Sequence, residues 1–433
     1  AEPVMALRST LRQAIELRAH DEGGIGSVRL ELLEDALREV GDVPRGNADS
    51  AWVARAERLD AEAQSPQSRL MLVRWLAASW RFDEAEAALG TISSDEVALE
   101  GTNAIAQAYG SAGRFDEAIP LYEKALADSA RVRGDDHPDV LGARNNLAVA
   151  YRVMGRLSEA IALFEEVVAD SVRVLGPDRP HTLASRGNLA VAYQEEGRLN
   201  EAIPLFEEVV ADSVRVLGPD HPHTLVSRYN LAGAYREEGC LDKAIPLYEG
   251  VLADRVRILG ADHPHTLVSR IDLAGAYQAA GRLGEATTLF EGVLADHVRI
   301  LGDDHPLTFT ARNALAGTYQ AAGRLSEAIP LYEGVLADRV RVLGMDHPDT
   351  LTARHNLAGA HQAAGHLSEA ISLFEEALAG RMRILGPIHS DTLVSRSHLA
   401  YAYLEAGRVD DATAVLDPPT DPDDVDAHRI ESR

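Results

Sequence analysis

A chain of 433 residues has room for two or three ordinary domains, and 46% apolar with 25% charged residues excludes a disordered chain. The formal charge of −26 argues against nucleic acid and anionic membrane as partners, because both need Lys and Arg to replace counterions. Cys240 is the only cysteine, which excludes an internal disulfide and a cysteine-based zinc site and fits a reducing cytosol.

The N-terminus lacks the basic start and apolar core of a signal peptide, and no apolar run reaches the ~18 residues that span a bilayer. The expected location is cytoplasmic. Because the chain opens on Ala1 rather than Met, it is expected to be processed or a piece of something longer. Residues 1–64 read as helices over 3–19, 27–40 and 49–63, broken by "DEGGIG" and "GDVPRGNADS", with no repeat signature. They either cap the helices downstream or join them to a missing domain. Residues 65–98 include "LVRWLAASWRFDEAEAALG", which reads as a degenerate helical hairpin with Trp80 where later copies carry glycine.

From residue 99 to 416 the chain repeats. Gly113, Gly155, Gly197, Gly239, Gly281, Gly323, Gly365 and Gly407 recur every 42 residues, and a second series from Gly134 to Gly386 keeps the same step. Two glycines per period predict two helices per period, each stopped where a left-handed residue costs little. In the copy ending at Gly218 the first helix is expected over roughly 182–196, with Leu183, Leu189, Ala190 and Tyr193 on one face. The second is expected to start at Asn200 and run to Leu217. The equivalents of Asn200 are Asp116, Ser158, Asp242, Gly284, Ser326, Ser368 and Asp410, all of N-cap type. A single hairpin cannot bury its apolar stripes, but a stack can, so the expected architecture is an all-α solenoid.

"NLAVAYQEEGRLNEAIPLFEEVV" resembles the tetratricopeptide repeat. The 42-residue step, the "LGPDHPHTL" junction and the "NNLAVAY" string are similar to its kinesin light chain subtype. The resemblance implies a right-handed superhelix of antiparallel hairpins, acting as a protein-interaction scaffold. The last second helix has about eight residues before "DPPTDPDD" stops it, which leaves Val409, Ala412, Val415 and Leu416 without obvious cover. Self-association there is a weaker reading. The acidic tail, 417–433, reads as disordered. Arginine is heavily preferred over lysine, which hints at a bacterial source.

No phosphate-binding loop, nucleophile elbow, HExxH or CxxC is present, so no enzymatic activity and no cofactor are expected. The "HPH" triplets, His221/His223 and His263/His265, have a spacing that suits one metal ion. The same junction reads "RPH", "HPD" and "HPL" elsewhere, so a structural loop is expected instead and no metal. His355 and His398 are expected on adjacent first helices, in a groove-lining or surface role.

Positions that recur and positions that vary answer different demands. Arg144, Arg186, Arg228, Arg270, Arg312, Arg354 and Arg396 share one register, which is expected to be architectural, each guanidinium pairing with an acid across the hairpin. The other side of the first helix varies and is expected to line the concave groove. Candidate peptide-binding residues there are Asn145, Asn146, Arg152, Asn188, Gln194, Tyr229, Asn230, Arg236, Asp272, Gln278, Asn313, Gln320, His355, Asn356 and Gln362. In repeats resembling these, the asparagine before Leu-Ala hydrogen-bonds the backbone of an extended peptide. That role carries over to Asn146, Asn188, Asn230 and Asn356, is in doubt at Asp272 and His398, and is absent at Ala314.

Where Val149 and Val191 stand early in the array, Gly233, Gly275, Gly317 and Gly359 take their place later; they either let helices approach closely or open pockets for ligand side chains. The expected function is a non-enzymatic scaffold for a protein or extended peptide, neutral to basic in charge. The alternative is the sensor arm of a larger signalling protein, such as a regulatory ATPase of the STAND type, whose catalytic domain lies outside this chain.

Overall fold

From residue 112 onward, each turn between helices holds a glycine at positive φ. The computed structural model describes residues 65–416 and holds eighteen helices with no strand among them. The helices expected within 1–64 and the tail at 417–433 lie outside the described residues.

The chain divides into two compact units at Asn230/Leu231. The first holds α1 (Pro66–Ala78), α2 (Phe82–Leu89), α3 (Asp95–Ser111), α4 (Phe115–Arg133), α5 (Pro138–Val153), α6 (Leu157–Val174), α7 (Pro180–Glu195) and α8 (Leu199–Leu217). Helix α9 (Pro222–Glu238) runs through the division. The second unit continues with α10 (Leu241–Leu259), α11 (Pro264–Ala279), α12 (Leu283–Leu301), α13 (Pro306–Ala321), α14 (Leu325–Leu343), α15 (Pro348–Ala363), α16 (Leu367–Leu385), α17 (Ser390–Glu405) and α18 (Val409–Leu416). Odd-numbered helices are the first, even-numbered the second member of each hairpin.

Within a hairpin a single glycine separates the C-cap of one helix from the N-cap of the next. After α7 the N–H of Gly197, at φ 79, bonds Gln194 O at 2.9 Å, and the N–H of Arg198 bonds Tyr193 O at 2.8 Å. This pair of bonds satisfies carbonyls that a helix end would leave bare. Arg198 then serves at once as the N-cap of α8, its carbonyl accepting from Ala202.

That overlap corrects the expected helix starts. Arg114, Arg156, Arg198, Cys240, Arg282, Arg324 and His366 occupy the N-cap, none with a side-chain cap bond. Asn200 and its equivalents lie inside the first turn, because the turn leaves only glycine between one helix's C-cap and the next helix's N-cap. Carboxylates of the first turn, such as Glu201, still favour the positive end of the helix dipole. In the degenerate hairpin Trp80 takes the glycine's place at φ 59, with the same bond from Arg81 N–H to Leu76 O at 2.9 Å.

Between hairpins the junction is capped by histidine, which composition alone did not suggest. The Nδ1 atoms of His137, His263, His305, His347 and His389 each accept from the N–H two residues on at 3.2 Å. Buried threonines lock the same loop: Thr182 donates to Gly176 O at 2.9 Å and Thr266 to Gly260 O at 2.8 Å. The "HPH" triplets are this loop, with the rings of His221 and His223 5.6 Å apart and stacked.

The core lies between the helices of each hairpin and its neighbours. In the first unit Ala148, Ala160, Phe164 and Ala192 are fully buried, and Ile161 and Leu189 pack with them. In the second, Phe290, Leu315, Ala328, Tyr332 and Leu357 do the same. Burying a ring such as Phe164 contributes about 1.5–3 kcal/mol, which a lone hairpin could not secure. At the last described helix Ala412 is buried and Val415 packs on the preceding core, so only Val409 and Leu416 of the four expected uncovered residues stand exposed.

Candidate functional site

The exposed face of the first helices carries the variable residues, and in both units many of them pair along the stack. In the first unit Asn188 Nδ2 donates to Asn145 Oδ1 at 3.2 Å, between α7 and α5. Arg152 of α5 pairs with Glu195 of α7, a partner outside the candidate set. Asn146 is half-buried and makes no side-chain bond to the described residues. Gln194, Tyr229 and Asn230 are half-buried at the registers of Arg152, Asn145 and Asn188.

In the second unit Asn356 Nδ2 donates to Asn313 Oδ1 at 3.1 Å, and Gln362 Nε2 to Glu405 Oε2 at 2.6 Å. Arg236 reaches Asp272 at 3.4 Å. Gln278 and Gln320 are half-buried between these pairs. His355 packs its ring on Phe374 and on His398, with centroids 5.0 and 4.8 Å away. Burial first, then the charges of Arg381 and His398, pushes its pKa down to about 4, so it is a neutral side chain on this face.

Three of the four register glycines correct one expectation. A Cβ on Gly275 would meet Arg236 Nη1 at 3.6 Å, one on Gly359 would meet Gln320 Nε2 at 3.9 Å, and one on Gly317 would meet the Tyr332 hydroxyl at 3.3 Å. These are side-chain tips, not helix backbones. The glycines at 275, 317 and 359 therefore do not serve close helix approach; they leave space on the face that neighbouring side chains enter.

Five of the seven recurring arginines pair with an acid across their own hairpin. Arg144 pairs with Asp170 at 2.8 Å, Arg186 with Asp212 at 2.8 Å and with Glu208 at 2.7 Å, Arg270 with Asp296 at 2.6 Å and Arg312 with Asp338 at 2.7 Å. Each joins the first helix of a hairpin to its second. Arg354 turns to Glu376 at 3.2 Å, because Gly380 stands where the aspartate would be. The aspartates take a second arginine: Arg173 and Arg215 bond Asp170 and Asp212 one turn back and also reach Asp136 and Asp178 in the preceding junction. Both aspartates are held below the usual carboxylate range by these bonds.

Among the described residues no group of three or more His, Cys, Asp or Glu side chains is placed to hold a metal ion. No described helix is long and apolar enough to cross a membrane.

Fold and face together define an α-helical repeat array that presents a variable polar face from a uniform frame. Models described as "Tetratricopeptide repeat" match residues 98–169, 139–212, 182–239, 227–296, 271–339 and 308–383, and a second model of that description matches 393–418. The chain belongs to the tetratricopeptide repeat family. It is similar to the nearly identical TPR-like repeats of a proposed kinesin light chain from Podosopora anserina, with 39% identity over 48% of this chain and 97% of that one, at a TM-score of 0.44. It shares its fold with the apo form of the quorum sensor NprR from B. thuringiensis, at 14% identity, 86% and 99% coverage and a TM-score of 0.57. The same holds for a STAND protein with a tetratricopeptide repeat sensor from Pyrococcus horikoshii, at 14% identity, 82% and 56% coverage and a TM-score of 0.55. The comparison with curated proteins found no match.

Proposed function

We propose that this chain is a non-catalytic scaffold that holds an extended, neutral to basic peptide segment of a partner protein along the exposed face of its first helices. The observation that carries this reading is the half-satisfied row of amides. Asn188 gives one hydrogen to Asn145, while its own carbonyl and the Asn145 amide group keep bonding capacity, and Asn146 makes no side-chain bond among the described residues. An amide both donates and accepts, as does each residue of an extended backbone, so a peptide laid across the row completes what the protein leaves open. The net charge of −26 favours a partner that is not itself acidic.

The test is a positional-scanning library of end-blocked eight-residue peptides, read by fluorescence polarisation. The parent is compared with a variant carrying Asn146→Ala, Asn188→Ala and Asn230→Ala. The parent is expected to bind, and the variant to bind about tenfold more weakly or worse at an unchanged melting temperature. Equal binding by both, or none by the parent, contradicts the reading.

A further inference from the structure

We propose that His361 and His366 form a zinc site that staples α15 to α16, independent of the peptide-binding reading above. In neighbouring hairpin turns the same two registers hold an aromatic ring and the arginine over it, as with Tyr193 and Arg198 or Tyr319 and Arg324. Of the 42-residue repeats only this one changes both members, and both become histidine.

The turn fixes how far apart the two rings stand. His366 is the N-cap of α16, and its N–H bonds His361 O at 2.9 Å, as the arginine N–H does in other copies. From these anchors the imidazoles meet with Nδ1 atoms 3.3 Å apart, ring centroids 5.6 Å apart and planes inclined at 44°. Zinc to nitrogen bonds of ~2.0–2.1 Å place two ligand nitrogens of a tetrahedron about 3.3–3.4 Å apart, whereas right-angled coordination needs about 2.8–3.0 Å. The observed spacing is a tetrahedral edge, which favours zinc over square-planar copper or nickel. One proton lies between the two Nδ1 atoms in the hydrogen bond. When it moves to the outer Nε2 of its own ring, both inner lone pairs face one point and no net proton is released from neutral rings.

The surroundings supply negative charge. Elsewhere the tyrosine hydroxyl and the arginine each hold a glutamate, as Tyr193 does Glu165 and Arg198 does Glu201. The equivalents at this turn, Glu333 and Glu369, have lost those partners and make no hydrogen bond or ion pair to the described residues. Two unpaired carboxylates flanking two inward nitrogens suit a divalent cation, with water or one carboxylate completing the coordination. The other histidine pairs lack this arrangement. His221 and His263 use Nδ1 to accept the N–H of His223 and His265, and His355 packs on Phe374 with its ring at an edge to His398. Two protein nitrogens make a reversible site, so its effect is to hold the turn closed when zinc is present.

The test is isothermal titration of zinc chloride into the full chain, beside a His361→Tyr/His366→Arg variant that restores the pairing of Tyr319 and Arg324 and so keeps the turn. The parent is expected to bind one zinc ion that the variant does not. Hydrogen exchange locates it: with zinc at about ten times its dissociation constant, amides across the turn between α15 and α16 should exchange about tenfold more slowly in the parent and at an unchanged rate in the variant. Equal zinc uptake by the two proteins, or slowing that is absent from this turn or shared by the variant, overturns the site.

Discussion

At the scale of single residues, the turn inside each hairpin shows how the frame tolerates change. Tyr193 lies beneath the Arg198 guanidinium, 4.3 Å from ring centroid to Cζ, and donates to Glu165 at 2.8 Å; the same clasp recurs at Tyr151, Tyr277 and Tyr319. Where Cys240 replaces the arginine, Lys243 moves in over Tyr235 at 4.7 Å. Where both partners change, His361 and His366 face each other with Nδ1 atoms 3.3 Å apart. Such substitutions preserve the turn, so they belong to the frame.

His355 has a different consequence. Its folded pKa of about 4 lies below its ordinary 6.5, because burial against Phe374 and the nearby Arg381 and His398 oppose the charge more than Asp391 favours it. As pH falls below 6.5 the unfolded chain takes up this proton first, so stability is lost progressively down to about pH 4. The melting temperature should fall between pH 7 and pH 5, with about 2 kcal/mol from this group. His355→Asn, the residue at 145 and 313, should recover part of that loss in thermal melts. An identical fall in parent and variant contradicts the assignment.

At the scale of the element, glycine spacing made the hairpins legible, because few other residues adopt positive φ without strain. The helix starts were not legible to the same precision. An N-cap type at 200 is an equally good first-turn residue, and only the hydrogen bonds of the reversal show that the cap is Arg198. Also hidden was the junction, where histidine rings act as caps. A further change runs along the second helices: buried Ser171 and Ser213 of the first unit give way in the second to Arg255, His297, Arg339 and Arg381. Arg381 donates to Asp391 O at 3.1 Å and Ser395 Oγ at 2.7 Å, and Arg255 repeats the arrangement on His265 O and Ser269 Oγ. These guanidinium groups hold the first turn of the following helix where the serine hydroxyls of 171 and 213 find no partner.

Trp80 gives the element-scale prediction. It sits at φ 59 with 60% of its surface exposed, so it carries left-handed strain and little packing in return. Trp80→Gly should stabilise the first described hairpin by up to about 1 kcal/mol, seen as slower local hydrogen exchange across α1 and α2. Faster exchange there would show that the exposed ring contributes more than the strain costs.

At the scale of the whole molecule, the separation of frame from face was readable because a stack repeats the same contact at every step while a ligand need not. Arg186 with Asp212 and Glu208 belongs to the first class; Asn145 with Asn188 and Asn313 with Asn356 belong to the second.

The most direct test of this division is peptide affinity, measured side by side for the parent, the Asn146/Asn188/Asn230 triple alanine variant and Arg186→Ala. The frame variant is predicted to lose about 1–3 kcal/mol of stability in urea yet keep the parent's affinity while folded, and the face variant to melt like the parent and lose binding. Affinity lost through Arg186 and kept by the asparagine variant would contradict the division, because the uniform register would then be the ligand's and the variable one the frame's.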